Sequence, residues 1–338
     1  YCEGKAPEAL TFDKEGNGSF KGENEPINVK VQEVADTSQE EGFKWAFQGQ
    51  IMTIDHGCKL LRNRALSLMI KSNAFAIVAF DPQSLVEKPE AYDQNRNIQL
   101  FQHALLGDGQ PSILHACMAP TLSSTLKPLP EDLQPVDKRD GAKVLTTLPI
   151  NTISLDSIEG LGSLDWLVLD SLNDSSKILE NGQENLKDTL LIEVPVVFRP
   201  THEYQPNLAE LQHWATHNGF RLYRLNTPRY ISHLPEKVSA TKRQATELES
   251  AEALFLPSHG RMGELTDNQR TKLAFLLSSV YGIKDMAYAL LATVDEDKAE
   301  AFLAAEGLYD GAYQTPTTEE LPSDKPETIS DDLDKLMH

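Results

Sequence analysis

Residues 51–81 read IMTIDHGCKLLRNRALSLMIKSNAFAIVAFD and contain the pattern on which the fold prediction depends. Two short apolar runs, Ile51–Asp55 and Ala76–Phe80, flank Leu60–Lys71, whose apolar residues recur at helical spacing. Short apolar runs bounded by Asp, Gly or Pro are typical of strands that are buried on both faces. A strand, a helix and a second strand in this order predict one parallel unit of a doubly wound α/β sheet.

The same alternation continues along the chain and extends the predicted sheet. The further predicted strands are Ile98–Ala104, Leu164–Asp170, Leu190–Phe198, Phe220–Leu225 and a final Ala253–Leu256 that pairs with Phe220–Leu225. Helical spacing recurs in Ser175–Asn185 and in Leu208–His217, the second ending at a favourable Asn-Gly C-cap. We therefore expect a mostly parallel sheet of about seven strands with helices on both faces.

A change of pattern near residue 261 predicts a separate helical layer. Thr266-Asp-Asn-Gln269 is a capping box, and apolar residues follow it at helical spacing. Beyond it the chain becomes rich in Thr, Pro, Asp and Glu, which is typical of disorder. The expected organisation is a polar N-terminal segment over 1–47, an α/β domain over 48–260, the helical layer over 261–312 and a disordered acidic tail over 313–338.

Asp13–Asn24 partly matches a calcium-binding loop, with acids or amides at the first ligand positions and Gly18 at the sixth. Its twelfth position is Asn24, where calcium loops need a bidentate Glu. A β-hairpin of Leu10–Phe12 and Ser19–Lys21, turning at Asn17-Gly18, explains the same residues. We predict the hairpin and no metal site.

Composition argues against several partners. The 31 Lys and Arg residues are outnumbered by 51 Asp and Glu, a net charge of −20, which opposes binding to nucleic acid or to an anionic membrane surface. The sequence contains no run of 18 apolar residues, the length that a membrane-spanning helix would need. Three cysteines without a CxxC pair indicate reduced thiols in a cytoplasmic protein. The chain begins at Tyr1, so we expect processing or membership of a larger chain or assembly.

Acidic residues lie at the ends of several predicted strands, and Glu193 lies within the predicted strand Leu190–Phe198. Because ligands of doubly wound sheets lie at the carboxyl ends of the strands, these acids and one glycine are candidate site residues: Asp55, Gly57, Asp81, Asp108, Asp170 and Glu193. An acid at the tip of the second strand is placed to accept from both ribose hydroxyls of a nucleoside. Asp and Gly after strands are also common turn and cap residues, which leaves a purely structural interpretation open.

The order of these motifs resembles the FkbM-type S-adenosylmethionine-dependent methyltransferases over about residues 48–292. The similarity is carried by Ala79-Phe-Asp-Pro82, by His103-Ala-Leu-Leu-Gly-Asp108 and most closely by Leu191–Leu225. The resemblance implies the class I methyltransferase (Rossmann-like) sheet and S-adenosylmethionine as cofactor. It also implies O-methylation of a small-molecule or glycan acceptor, and the helices near Leu265–Leu291 look like those of a bacterial branch.

The resemblance also implies roles for the candidate residues. Asp55, Gly57, Asp81 and Asp108 would hold the cofactor, while Asp170 and Glu193 would border the acceptor, with Asp170 as base.

Several positions depart from the family pattern. Leu61 stands where the family's first loop carries a second Gly, and it would crowd the methionine part of the cofactor. Val168, Asn173 and Ser175 replace a Lys, a Gly and a Glu of the fourth-strand block. A preserved scaffold with an altered site is typical of a degenerate relative that acts in binding or assembly. Enzyme and non-catalytic module therefore both remain hypotheses.

Overall fold

The computed structural model describes residues 10–12, 18–20, 43–63, 73–82, 85–102, 104–171, 173–235, 237–239 and 241–308. The strands are β1 (Leu10–Phe12), β2 (Gly18–Phe20), β3 (Ile51–His56), β4 (Phe75–Phe80), β5 (Ile98–Phe101), β6 (Leu105–Gly107), β7 (Pro111–Cys117), β8 (Val144–Ser154), β9 (Trp166–Val168), β10 (Leu191–Val197), β11 (Phe220–Ile231) and β12 (Glu247–Pro257). The α-helices are α1 (Ser175–Glu180), α2 (Gln183–Leu186), α3 (Leu208–His217), α4 (His259–Glu264), α5 (Asp267–Phe275), α6 (Lys284–Ala292) and α7 (Glu296–Ala305).

Seven strands form the main sheet in the order β11-β12-β10-β9-β3-β4-β5. Five of them, from β10 to β5, are parallel neighbours, and β12 runs antiparallel to both β10 and β11. The predicted mostly parallel sheet is thereby confirmed, and it is compatible with a Rossmann-like methyltransferase fold. The chain moves outward from β3 to β5 and then returns to the other side of β3 with β9. The carboxyl ends of β3 and β9 are therefore the switch point at which such sheets bind ligands.

The two faces of the sheet bury separate apolar clusters. Ile51, Phe75 and Trp166 belong to one cluster, which the C-terminal helices cover through residues such as Leu273 and Phe302. The opposite cluster contains residues of β3, β4, β9 and β10 together with α1 and α3. Strands covered on both faces need apolar residues at successive positions, which is why β3 and β4 show no polar alternation.

The C-terminal helices form the predicted layer on one face of the sheet. The predicted capping box is present at Thr266 and Gln269, and a π-helical turn at Leu276–Val280 follows α5. The predicted tail begins beyond Leu308, outside the described residues. None of the helices that the structure describes is long and apolar enough to cross a membrane.

At the N-terminus, β1 and β2 pair antiparallel with Leu10 opposite Phe20. This pairing confirms the predicted hairpin strands. The intervening residues 13–17 and the rest of the predicted calcium loop lie outside the described residues. Among the residues that the structure does describe, no group of three or more His, Cys, Asp or Glu side chains could hold a metal ion.

Several element boundaries differ from the sequence-based prediction. The strand predicted over 98–104 ends at Phe101, and the next strand, β6, belongs to a separate three-stranded sheet of order β6-β8-β7. The helix predicted over 175–185 is broken at Gly182, where a side chain would meet Leu155 Cδ2 at 2.5 Å. Of the helix predicted over 60–71, Leu60–Arg62 form a turn and residues 64–72 lie outside the described part.

Candidate functional site

Asp55 lies near the end of β3 and is fully buried. Its carboxylate accepts the backbone N–H of Lys59 at 2.9 Å and of Leu60 at 2.8 Å, so both oxygens hold the loop that follows the strand. Burial raises the pKa of Asp55 to about 7, although the two N–H donors oppose the shift. The Asp55 side chain therefore stabilises the loop that follows β3.

His56 connects the ends of β3 and β9. Its Nδ1 lies 2.9 Å from Asp170 Oδ1, and its Nε2 accepts the Leu106 N–H at 3.2 Å. Because a backbone N–H can only donate, Nδ1 carries the ring proton and donates it to Asp170. The Asn173 side chain also lies 3.2 Å from Nε2 and donates to the Leu106 carbonyl at 2.6 Å. His56 is fully buried, so its role is to orient Asp170.

The space above Gly57 is filled by Asp170. Gly57 has a φ of +94°, and a Cβ added there would lie 2.2 Å from Asp170 Oδ2. The glycine is therefore required by the close approach of a carboxylate of the same chain. Asp170 keeps 23% of its side chain exposed and borders a narrow crevice of about 10 Å³ with Ser171, Asn173 and Pro195.

Asp81 comes directly after β4 and is fully buried. One carboxylate oxygen accepts the Leu85 N–H at 2.8 Å and the other accepts the Val86 N–H at 2.8 Å. Both oxygens therefore bind the chain's own turn, as in the structural interpretation of acids after strands.

Asp108 follows β6 and takes its partners from a different set of elements. It accepts the Gln110 N–H at 3.0 Å and lies 3.4 Å from Lys177 Nζ on α1. Burial opposes the change, but the Gln110 N–H and Lys177 lower the pKa of Asp108. The Asp108 carboxylate on this half-exposed turn is therefore ionised at neutral pH.

Glu193 on β10 faces the C-terminal helices and lies at the centre of a buried polar network. It pairs with Lys59 and accepts the Tyr281 hydroxyl at 2.6 Å, and Lys59 also reaches Glu252 on β12 at 2.9 Å. Trp166 Nε1 in turn donates to the Tyr281 oxygen at 3.1 Å. Burial and the adjacent Glu193 carboxylate raise the pKa of Tyr281 well above its ordinary value, so the phenol stays protonated.

The candidate residues therefore fall into three groups. Asp55, Gly57 and Asp170 meet at the switch point, Asp81 and Asp108 lie beside it with their own partners, and Glu193 belongs to the network under the C-terminal layer. The crevice beside Asp170 does not include Glu193. A larger groove of about 690 Å³, between α1 and α3, contains none of the six candidate residues.

Sequence reasoning missed the residues that connect these groups. His56 stands between two candidates in the sequence, and a histidine directly after a strand-ending acid is a signal that could have been used. Lys59 and Tyr281 carry no such signal, since their partners are 134 and 88 residues away from them in the chain. Their roles follow from packing alone.

Comparisons with known proteins do not identify a family for this chain. No family model matches the chain, and no curated protein matches it. The chain is similar to a solved structure described as a "putative methyltransferase from Thermoplasma acidophilum", at 6% identity and a TM-score of 0.32, over 64% of this chain and 71% of the other. A likeness at this level carries no argument about function.

Proposed function

We propose that this chain is a methyltransferase-like α/β module that acts in binding or assembly and performs no S-adenosylmethionine chemistry. The observation that carries the proposal is the state of Asp81, the residue expected to take the ribose hydroxyls. Its two carboxylate oxygens accept the N–H groups of Leu85 and Val86 in a fully buried position. Because the carboxylate is fully buried, a ribose could reach it only if the chain around Leu85 and Val86 moved away.

The other end of the expected cofactor position supports the same proposal. Asp170 occupies the space directly over Gly57, which the resemblance makes a cofactor-binding residue. Leu61 is half-buried and packs against the core cluster under the C-terminal helices. The residues present do not fit S-adenosylmethionine, because the expected ribose acceptor Asp81 is fully buried and a carboxylate of the chain itself lies over the loop glycine.

The second proposal is the enzyme: an S-adenosylmethionine-dependent O-methyltransferase of the FkbM type, acting on a small molecule or a glycan. In this proposal Asp55, Gly57, Asp81 and Asp108 hold the cofactor, while Asp170 and Glu193 border the acceptor. The specific observation in its favour is that the buried His56 orients Asp170, which stays partly exposed at the edge of a crevice. An oriented, accessible carboxylate is what a base for a hydroxyl acceptor needs.

Isothermal titration with S-adenosylmethionine separates the two proposals. For the parent protein and for Leu61→Gly we expect no saturable binding up to about 1 mM cofactor, a concentration that corresponds to about 4 kcal/mol of binding free energy. Leu61→Gly is the matched variant, because it restores the family's second glycine in the loop. Micromolar binding by the parent would overturn the non-catalytic proposal in favour of the enzyme. Binding that appears only in Leu61→Gly would show that this side chain is what closes the site, and the non-catalytic proposal would stand.

A further inference from the structure

The region around β11 has a charge opposite to that of the rest of the chain. Residues 221–243 contain six Lys or Arg and a single acid, in a protein whose net charge is −20. Four of these cations are exposed, and they define a basic strip: Arg224, Arg229, Lys237 and Lys242. Arg224 and Arg229 lie on β11, the edge strand of the main sheet, and the two lysines lie in the connection to β12.

Within the described residues, no member of the basic strip forms an ion pair within 4.0 Å. The ion pairs of the acids on the neighbouring strand β12 are with other cations. Glu247 lies 2.7 Å from His233, Glu249 lies 2.8 Å from Lys138, and Glu252 lies 2.9 Å from Lys59. Arg229 is near enough to Glu252 to interact with it electrostatically, but it forms no ion pair with it. The strip therefore carries positive charge that the ion pairs of the described residues do not neutralise.

The C-terminal helices bring the end of the described chain close to β11. Glu306, just after α7, lies 2.5 Å from Lys284 at the start of α6. The next residue, Asp285, is near enough to Tyr223 on β11 that it adds to burial in raising the pKa of that phenol. The guanidinium of Arg221 lies 5.5 Å from the centre of the Tyr223 ring. The last described residues therefore belong to the same helical layer as Asp285, which neighbours Tyr223 on β11.

We propose that the basic strip binds the acidic segment 309–338 of the same chain. This segment has eight acids and two lysines, so its charge complements that of the strip. Thirty residues can span roughly 100 Å when extended, whereas the eight residues from Arg224 to Ile231 cover only about 23 Å of strand. Because the segment belongs to the same chain, the contact is intramolecular and the segment has a high local concentration near the strip. An edge strand covered in this way is also protected from pairing with other chains.

Carbodiimide coupling of the full chain, followed by peptide mass spectrometry, tests the proposal. The reagent joins a lysine amine directly to a carboxylate in contact with it. We expect links from Lys237 or Lys242 to acids between Glu319 and Asp334 at about 50 mM salt, falling by at least about threefold at about 500 mM, because salt screens contacts between exposed charges. A mixture of ¹⁴N- and ¹⁵N-labelled protein shows whether each link joins one chain or two.

Charge variants at exposed positions give the matched controls. Arg224→Glu together with Arg229→Glu should reduce these links by at least about threefold, and adding Glu319→Lys and Glu320→Lys should restore part of them. Lys187→Glu, a single exposed charge reversal on the turn that follows α2, should leave the links unchanged. Absence of the links at low salt, links only between different chains, or equal loss in Lys187→Glu would each overturn the proposal.

Discussion

Replacing Asp81 by Ala distinguishes its structural role from a ligand-binding role. The carboxylate is fully buried and accepts two backbone N–H groups, from Leu85 and Val86, each at 2.8 Å. Removing it leaves both donors without these acceptors and releases the turn that follows β4. We therefore expect the free energy of unfolding to fall, whatever the protein binds.

The size of the loss follows from the number and kind of these bonds. Hydrogen bonds to a charged group contribute about 1.5–3 kcal/mol each, while the buried carboxylate itself carries a desolvation cost that its removal relieves. The expected net loss for Asp81→Ala is about 2–4 kcal/mol. Asp81→Asn keeps one acceptor oxygen and should lose roughly half as much. Asp108→Ala, at a carboxylate whose side chain is 29% exposed, is the matched control and should lose less than about 1 kcal/mol.

Urea denaturation followed by tryptophan fluorescence measures these differences, and titration with S-adenosylmethionine accompanies it. The reasoning predicts a lower midpoint for Asp81→Ala with an unchanged slope, and no effect on cofactor affinity. It would be refuted if Asp81→Ala were as stable as the parent within about 0.5 kcal/mol and bound the cofactor ten- to hundredfold more weakly than a binding-competent parent. That combination would assign the carboxylate to a ribose.

Three further changes test the surroundings. Gly57→Ala should lower the free energy of unfolding by about 2–4 kcal/mol in chemical denaturation, because a side chain there would clash with the Asp170 carboxylate and the positive φ disfavours it. Gly162→Ala, at a φ of +66° with open space around it, is the control and should lower it by only about 1 kcal/mol. Lys59→Met removes the cation that pairs with the buried Glu193 carboxylate, and it should lower the free energy of unfolding by about 2 kcal/mol after discounting for the 38% exposure of the lysine. Lys187→Met, at a side chain that is 65% exposed, is the control and should change the unfolding midpoint little. In the folded state the pKa of Asp55 is about 7, above its ordinary value, so the folded protein holds the proton more tightly than the unfolded chain. The contribution of Asp55 to stability therefore falls as pH rises from about 4 to about 7. Asp55→Asn should flatten this pH dependence in unfolding curves measured across that range.

Most strands of the main sheet could be predicted from the sequence because their signals are local. β3 and β4 are short apolar runs ending in Asp, and α3 carries its own N-cap at Asn207. Such patterns depend on residues within a few positions of each other, so they survive without knowledge of the partners. The pairing of the last two strands was also predicted, because the two apolar runs follow each other in the order of the elements, and the structure shows that they are antiparallel.

The sheet of β6, β7 and β8 could not be predicted in the same way. β8 is exposed along most of its length, so it shows no clear apolar alternation, and β6 is only three residues long. Its identity as a separate strand depends on pairing with Thr152–Ser154, more than forty residues away. Contacts at this separation leave no periodic pattern in either segment.

The candidate site shows where sequence reasoning reaches its limit in physical terms. An acid after a buried strand has two ways to satisfy its oxygens: the N–H groups of the turn that follows, or a ligand at the sheet edge. From the sequence alone, both ways explain Asp55 and Asp81 equally well, because the turn and the ligand would lie on the same side of the strand end. The distinction rests on whether the turn closes back onto the carboxylate. Leu61 is the one local sign that it does, since an apolar residue in that loop gains by packing inward, and packing inward draws the loop N–H groups toward Asp55.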